Sequence, residues 1–239
     1  MLHLLLAVIY LSFISLGLPD AVLGAAWPTI YQGFGVPLSY SGVVACIISV
    51  GTVISSLQSD RLTRRFGAGV VTAASVAMTA LALFGFSASN SFGALCVWAV
   101  PYGLGAGSVD AALNNYVALH FASRHMSWLH CMWGVGASIG PYIMGAVLTR
   151  GLGWHTGYRL IGGIQLVLTI VIFLSLPLWK KQVKGSDAAP EVCARPLTLR
   201  QILQIPGVKP VLVMFFCYCA LEQTAGLWAS SYLVLYKGI

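Results

Sequence analysis

Seven long apolar stretches alternate with short polar intervals along the chain. They cover 4–32, 39–59, 69–88, 93–121, 126–149, 158–179 and 209–236. A helix needs about 20 mostly apolar residues to cross a hydrocarbon core, and each stretch has that length, so seven membrane-spanning helices are expected. The longest polar interval runs from Lys180 to about Val208 and separates six spans from a seventh. Within it, Leu197-Thr198-Leu199-Arg200-Gln201-Ile202-Leu203 reads as a short amphipathic helix on the inner membrane surface, with Thr198 as its cap. The expected organisation is a six-helix transmembrane bundle over 1–179, a cytoplasmic linker over 180–208, and a further helix over 209–239 that opens a second, truncated bundle.

Composition supports this pattern. The chain is 58% hydrophobic and 8% charged, whereas soluble domains carry about 25% charged residues. The net charge of +7 could suggest a nucleic-acid partner, but its distribution points instead to topology. Ten of the 13 Lys and Arg fall on one side, after the second, fourth and sixth spans; Arg150, Arg159 and Lys237 fall on the other. The positive-inside rule puts the first side, with the N-terminus, in the cytoplasm and the protein in the cell membrane. The first span is not expected to be a cleaved signal, because no Lys or Arg precedes it and Pro19-Asp20 interrupts its apolar run. Five of the six cysteines lie within spans, and Cys217 and Cys219 point to different helix faces. No disulfide framework, metal site or cofactor is expected.

The chemistry is concentrated in the acids. The chain has six Asp and Glu, and three of them, Asp20, Asp110 and Glu222, lie inside spans. An ionisable group at membrane depth costs at least ~2.5–3.5 kcal/mol and usually marks a substrate or proton pathway. These acids fall in the first, fourth and seventh spans. Each is followed four residues later by a small or amide residue: Gly24, Asn114 and Gly226. Transporters are often built from repeated units with their sites at the repeat interface. Asp110 and Asn114 share a helix face with Gly103 and Gly107, offering a carboxylate and an amide that suit hydroxyl groups. Burial disfavours the charged form of a carboxyl group, which suits Asp20 or Asp110 to proton coupling.

The segment after the second span reads Ser56-Leu57-Gln58-Ser59-Asp60-Arg61-Leu62-Thr63-Arg64-Arg65-Phe66-Gly67. It resembles the loop signature of the major facilitator superfamily, with Ser56 and Thr63 where that signature has glycine. The resemblance implies a gating role for Asp60, Arg61, Arg64 and Arg65, in which Asp60 pairs with a basic residue or a helix end in one conformation only. The acid-x-x-x-Asn pattern of the fourth span, with an acid in the first, resembles the fucose–proton symporter branch. That resemblance implies proton coupling and sugar recognition by Asp20 and Asp110, with Asn114 as the amide and Glu222 in the same central cavity. The fifth span lacks the two amides of those sugar carriers. Its Gly136-x-x-x-Gly140-Pro141 resembles a motif of facilitator antiporters and, physically, suits close helix packing. Asn115, His130, Trp133 and Trp27 are further cavity candidates, and Tyr102 and Gln165 rank below them.

The function expected is secondary active transport of a small polar solute, a sugar among the candidates, by proton symport with alternating access. Efflux by proton antiport is the alternative. An intramembrane aspartyl enzyme would leave Glu222 and the arginine signature unexplained, so no enzyme is expected. The expected partners are a small-molecule substrate, protons and the lipid bilayer, with the full-length protein a monomer.

Overall fold

The computed structural model describes residues 2–185 and 198–238. All regular elements among them are helical: α1 (Leu2–Gly17), α2 (Val22–Phe34), α3 (Tyr40–Phe66), α4 (Ala68–Ala88), α5 (Phe92–His120), α6 (Arg124–Thr149), α7 (Trp154–Gly185), α8 (Leu199–Gln204) and α9 (Val208–Ser231). A π-helical segment, Tyr232–Lys237, continues α9. Seven helical stretches are long and apolar enough to cross a bilayer, with α1 and α2 together forming the first. The chain is a multi-pass, all-α membrane protein. The expected amphipathic helix is α8, closed by a capping box in which Thr198 and Gln201 satisfy each other's backbone N–H groups. Cys193, Arg195 and the rest of 186–197 lie outside the described residues.

Two elements differ from the sequence expectation. The first span is two helices, not one. Proline has no N–H to continue the ladder, and Pro19 sits where α1 stops. Asp20 instead donates its N–H to Gly17 O at 3.0 Å, Val22 donates to Pro19 O at 3.3 Å, and α2 then begins. The arginine signature, expected as a loop, forms the last turns of α3. Asp60 and Arg64 stand one turn apart and pair at 3.1 Å, a spacing that supports a helix. The turn comes only at Gly67, whose φ of +84° suits glycine.

The bundle is held by close backbone contact. α3 packs along α5, α4 along α5 and α7, α1 along α6, and α2 along α9. In lipid, helices associate through small residues that let backbones approach. A side chain at Gly17 would strike the Trp133 carbonyl, and one at Gly136 or Gly140 would strike the Ile14 or Leu18 carbonyl. The glycine-x-x-x-glycine run of α6 is therefore the seat of α1. Gly103 and Gly107 meet the carbonyls of Ile48 and Thr52 on α3 in the same way.

The buried core splits into two apolar clusters. One gathers around Trp27, Phe86, Tyr102, Met144 and Tyr158. The other gathers around Phe13, Val76, Leu113, Leu129 and Trp179, toward the end that carries the arginines. Between them runs a thinner layer in which buried polar side chains, Ser15, Thr79, Ser108 and Gln165, occur on α1, α4, α5 and α7. The break between α1 and α2 stands beside this layer.

Candidate functional site

Asp20 occupies the break in the first span, where the residue is open at the surface although its carboxyl is closely surrounded by protein. An irregular backbone at membrane depth is tolerated where protein or a cavity satisfies its polar groups. The Asp20 carboxyl lies within electrostatic reach of Glu222 on α9 and Asp110 on α5, and the Gln223 side chain stands beside it. Tyr102 on α5 is within reach of the same carboxyl. Acids from the first, fourth and seventh spans therefore share one neighbourhood.

The two glycines that follow the acids explain how Asp20 and Glu222 come together. α2 crosses α9 where Gly24 faces the Gly226 carbonyl and Leu227. Glu222 precedes Gly226 by about one turn of α9, and Asp20 precedes Gly24 across the break that opens α2. The crossing therefore brings the two carboxylates into one neighbourhood.

On α5, Asn114 Nδ2 donates to Asp110 Oδ1 at 2.9 Å and to the Asp110 carbonyl at 3.1 Å. Both are half-buried. The two acceptors hold the amide nitrogen, which leaves Asn114 Oδ1 buried without a partner. His130 on α6 is exposed and lies within electrostatic reach of Asp110. Its ring meets Phe13 of α1 edge-on at 5.9 Å. The cluster thus offers three carboxylates, an amide and an imidazole beside aromatic faces, groups able to carry a proton and to bind a hydroxyl-bearing solute.

The lower-ranked candidates divide. Trp133 is half-buried on the α6 face that packs on α1, and Asn115 is exposed next to Asn114. Trp27 does not line a cavity. It is fully buried in the apolar cluster, and its indole N–H donates to the Leu38 carbonyl at 2.7 Å; a tryptophan buried with its N–H satisfied has nothing left to offer a solute. The glycines Gly103 and Gly107 serve the approach of α3, not of a ligand. Asp60, Arg61, Arg64 and Arg65 border an open depression at the end of α3, far along that helix from Gly51, where α3 meets Gly103.

Sequence reading missed two features. Thr52, Ser56 and Ser59 of α3 donate to the carbonyls of Gly103, Gly107 and Ser108 at 3.3, 3.1 and 3.2 Å, and Ser55 bonds to Leu104 O and Ser108 Oγ. The signal was present as hydroxyls spaced four apart, Thr52 and Ser56, then Ser55 and Ser59, opposite a glycine pair. Tyr10 and His125 also pair at 2.8 Å between α1 and α6; they are 115 residues apart, and no spacing announces them.

A family model described as Major Facilitator Superfamily matches residues 9–239. The chain belongs to the major facilitator superfamily. Members of this family are transporters of small solutes, not enzymes. The chain is 26% identical over 194 residues to a 4-hydroxybenzoate transporter of Pseudomonas aeruginosa, covering 78% of this chain and 43% of that protein. It is 26% identical over 169 residues to a 4-hydroxybenzoate transporter of Acinetobacter baylyi, covering 67% and 36%. Bypass of stop codon protein 6 of Saccharomyces cerevisiae is 22% identical over 249 residues, covering 94% and 49%. The chain thus spans less than half the length of these relatives. None of the three is named as a fucose symporter.

Proposed function

We propose that the full-length protein is a secondary active transporter that moves a small polar solute across the cell membrane with protons, by alternating access. The observation that carries this reading is the meeting of Asp20, Asp110 and Glu222 beside a broken first span. Intramembrane acids are costly and mark ion and substrate paths, and transporter sites lie at broken helices near the midplane. In this reading Asp20 or Asp110 carries the proton. Asn114 and the aromatic faces near His130 bind the solute, and the Asp60–Arg64 pair opens and closes with the transport cycle. Residues 1–179 act as one bundle with a cytoplasmic N-terminus, joined through the 180–208 linker to the helix at 209–239. The working unit is a monomer.

The substrate class follows from two supports. A carboxylate with an amide binds hydroxyl groups, which a sugar and a hydroxylated aromatic acid both carry. The names of the bacterial relatives favour the aromatic acid. Proton antiport has less behind it, because Gly136 and Gly140 are already used in seating α1.

A thermal-shift screen of the purified full-length protein tests the substrate class. A ligand at 100 times its Kd stabilises the state it binds by about 2.7 kcal/mol. 4-Hydroxybenzoate and related hydroxy acids should raise the melting temperature, and hydrophobic cations should not. Stabilisation by hydrophobic cations alone would replace symport of a polar solute with drug efflux.

A further inference from the structure

Behind Asp20 lies a second polar site. A small cavity of about 10 Å³ sits in the layer between the two apolar clusters, with Ser15, Pro19, Thr79, Tyr102 and Gln165 among its walls. Gln165 is 1% exposed and Ser15 is 0% exposed. Gln165 Nε2 donates to Thr79 Oγ1 at 2.9 Å, and Thr79 Oγ1 in turn donates to the Val76 carbonyl at 2.9 Å. Because the threonine proton is committed to Val76, the glutamine must present its nitrogen to Thr79. Its Oε1 is then left as an acceptor without a partner, and Ser15 Oγ is likewise unpartnered.

A buried amide oxygen and a buried hydroxyl with no partner are each costly. Buried polar groups in such a position are usually bridged by ordered water, and one water needs a cavity of about 10–15 Å³ with two to four polar partners. This cavity has that size. Ser15 supplies a donor and Gln165 an acceptor. Tyr102 lines the cavity and lies within electrostatic reach of Asp20. Pro19, the residue before Asp20, forms part of the wall.

We propose that one water held by Ser15 and Gln165 joins Tyr102 in a buried hydrogen-bonded support for Asp20, which makes Gln165 and Tyr102 positioning residues for the proton carrier. This rests on the proton-coupled reading above. The ionisable groups within reach of Asp20 are Glu222 on α9 and Asp110 and Tyr102 on α5; His130 on α6 is within reach of Asp110, and Tyr158 on α7 within reach of Tyr102. Among these wall residues, Tyr102 is the one with an ionisable side chain.

The test is the pH profile of substrate uptake by the full-length protein in proteoliposomes. Gln165→Leu replaces the amide with an apolar side chain of similar size, and Tyr102→Phe removes only the hydroxyl. Each should move the pH midpoint of uptake in the same direction by about half a unit or more, since a hydrogen bond to a carboxyl group alters its protonation. The double variant should move it no further than the larger single change, because the two act through one network. Thr169→Val is the control: Thr169 donates to the Gln165 carbonyl at 2.7 Å on the same buried helix face but does not line the cavity. It should leave the midpoint in place, separating positioning from general loss of packing. Unmoved midpoints in both Gln165→Leu and Tyr102→Phe, in protein that Asp20→Asn uncouples, would overturn the inference and leave proton coupling standing. Full coupling in Asp20→Asn would overturn the inference and leave Asp110 as the proton carrier; full coupling in both Asp20→Asn and Asp110→Asn would overturn the proton-coupled reading as well. A sodium ion is the other occupant of this size: uptake that is lost when choline replaces sodium, in wild type but not in Gln165→Leu, would assign the cavity to the cation and overturn the water. A high-resolution structure should show one water within hydrogen-bond distance of Ser15 Oγ and Gln165 Oε1.

Discussion

Gly24 and Gly226 meet at the same crossing but do not tolerate the same change. A methyl group at Gly24 would fall on the Gly226 carbonyl and lie 2.9 Å from both Leu227 Cα and Leu227 O, whereas one at Gly226 would meet only Ala21 Cβ at 3.7 Å. The first contact is with backbone, which no rotamer change relieves. Carbon atoms pack best at about 3.5–4.0 Å, so α9 must withdraw from α2 to admit Gly24→Ala. Overpacking of this kind costs typically ~1–3 kcal/mol. Alanine in place of glycine also favours a helix by up to about 1 kcal/mol. That gain is common to both substitutions and cancels in their difference. Gly24→Ala should therefore be less stable than Gly226→Ala by about 1–3 kcal/mol. In a domain of this size each kcal/mol shifts Tm by about 2–4 °C, so thermal unfolding of the two purified variants resolves the gap. Uptake should fall in Gly24→Ala, because withdrawal of α9 separates Glu222 from Asp20, and persist in Gly226→Ala. Equal melting temperatures, or greater damage from Gly226→Ala, would refute the crossing as drawn here.

Three other outcomes follow from the packing. Gly107→Leu should cost several-fold more stability than Ser59→Ala in a denaturant titration: the first drives a side chain into the Thr52 carbonyl, while the second loses one interhelical hydrogen bond at 3.2 Å, worth about 0.6 kcal/mol on average in a membrane. Trp27→Ala should cost about 3–5 kcal/mol, read as loss of folded yield, while Trp27→Phe should cost only about 1 kcal/mol for the bond to Leu38; a mild effect of Trp27→Ala would return this residue to the cavity list. Asp60→Asn should leave the melting temperature nearly unchanged, because the Asp60–Arg64 pair is about 60% exposed on both sides and such pairs contribute only about 0–1 kcal/mol. Its effect should appear in the turnover rate, and normal turnover would remove the gating role.

Much of the fold was legible because membrane spans are written in long apolar runs. The boundaries of α4, α5 and α6 follow those runs closely. The acids were legible as exceptions to them. The Asp20–Gly24 and Glu222–Gly226 spacings read as a repeat, not as the crossing in which Gly24 faces Gly226. What was not legible depended on partners distant in sequence. Trp27 looked like an aromatic near a cavity because its bond to Leu38 cannot be seen in a composition. Asp60 to Phe66 looked like a loop because polarity marks the membrane surface without marking the end of a helix. Gln165 ranked low among the cavity candidates, since its surroundings depend on Ser15, Thr79 and Tyr102 from three other helices.

The most direct test of the central claim is proton movement driven by solute. Proteoliposomes holding the full-length protein and a pH-sensitive dye are given 4-hydroxybenzoate outside, with no pH gradient imposed. Wild-type vesicles should acidify inside as substrate enters. Asp20→Asn or Asp110→Asn should abolish that acidification while leaving part of the substrate exchange intact. Substrate entry without acidification in wild type, or acidification unchanged in both variants, would contradict proton coupling through these acids.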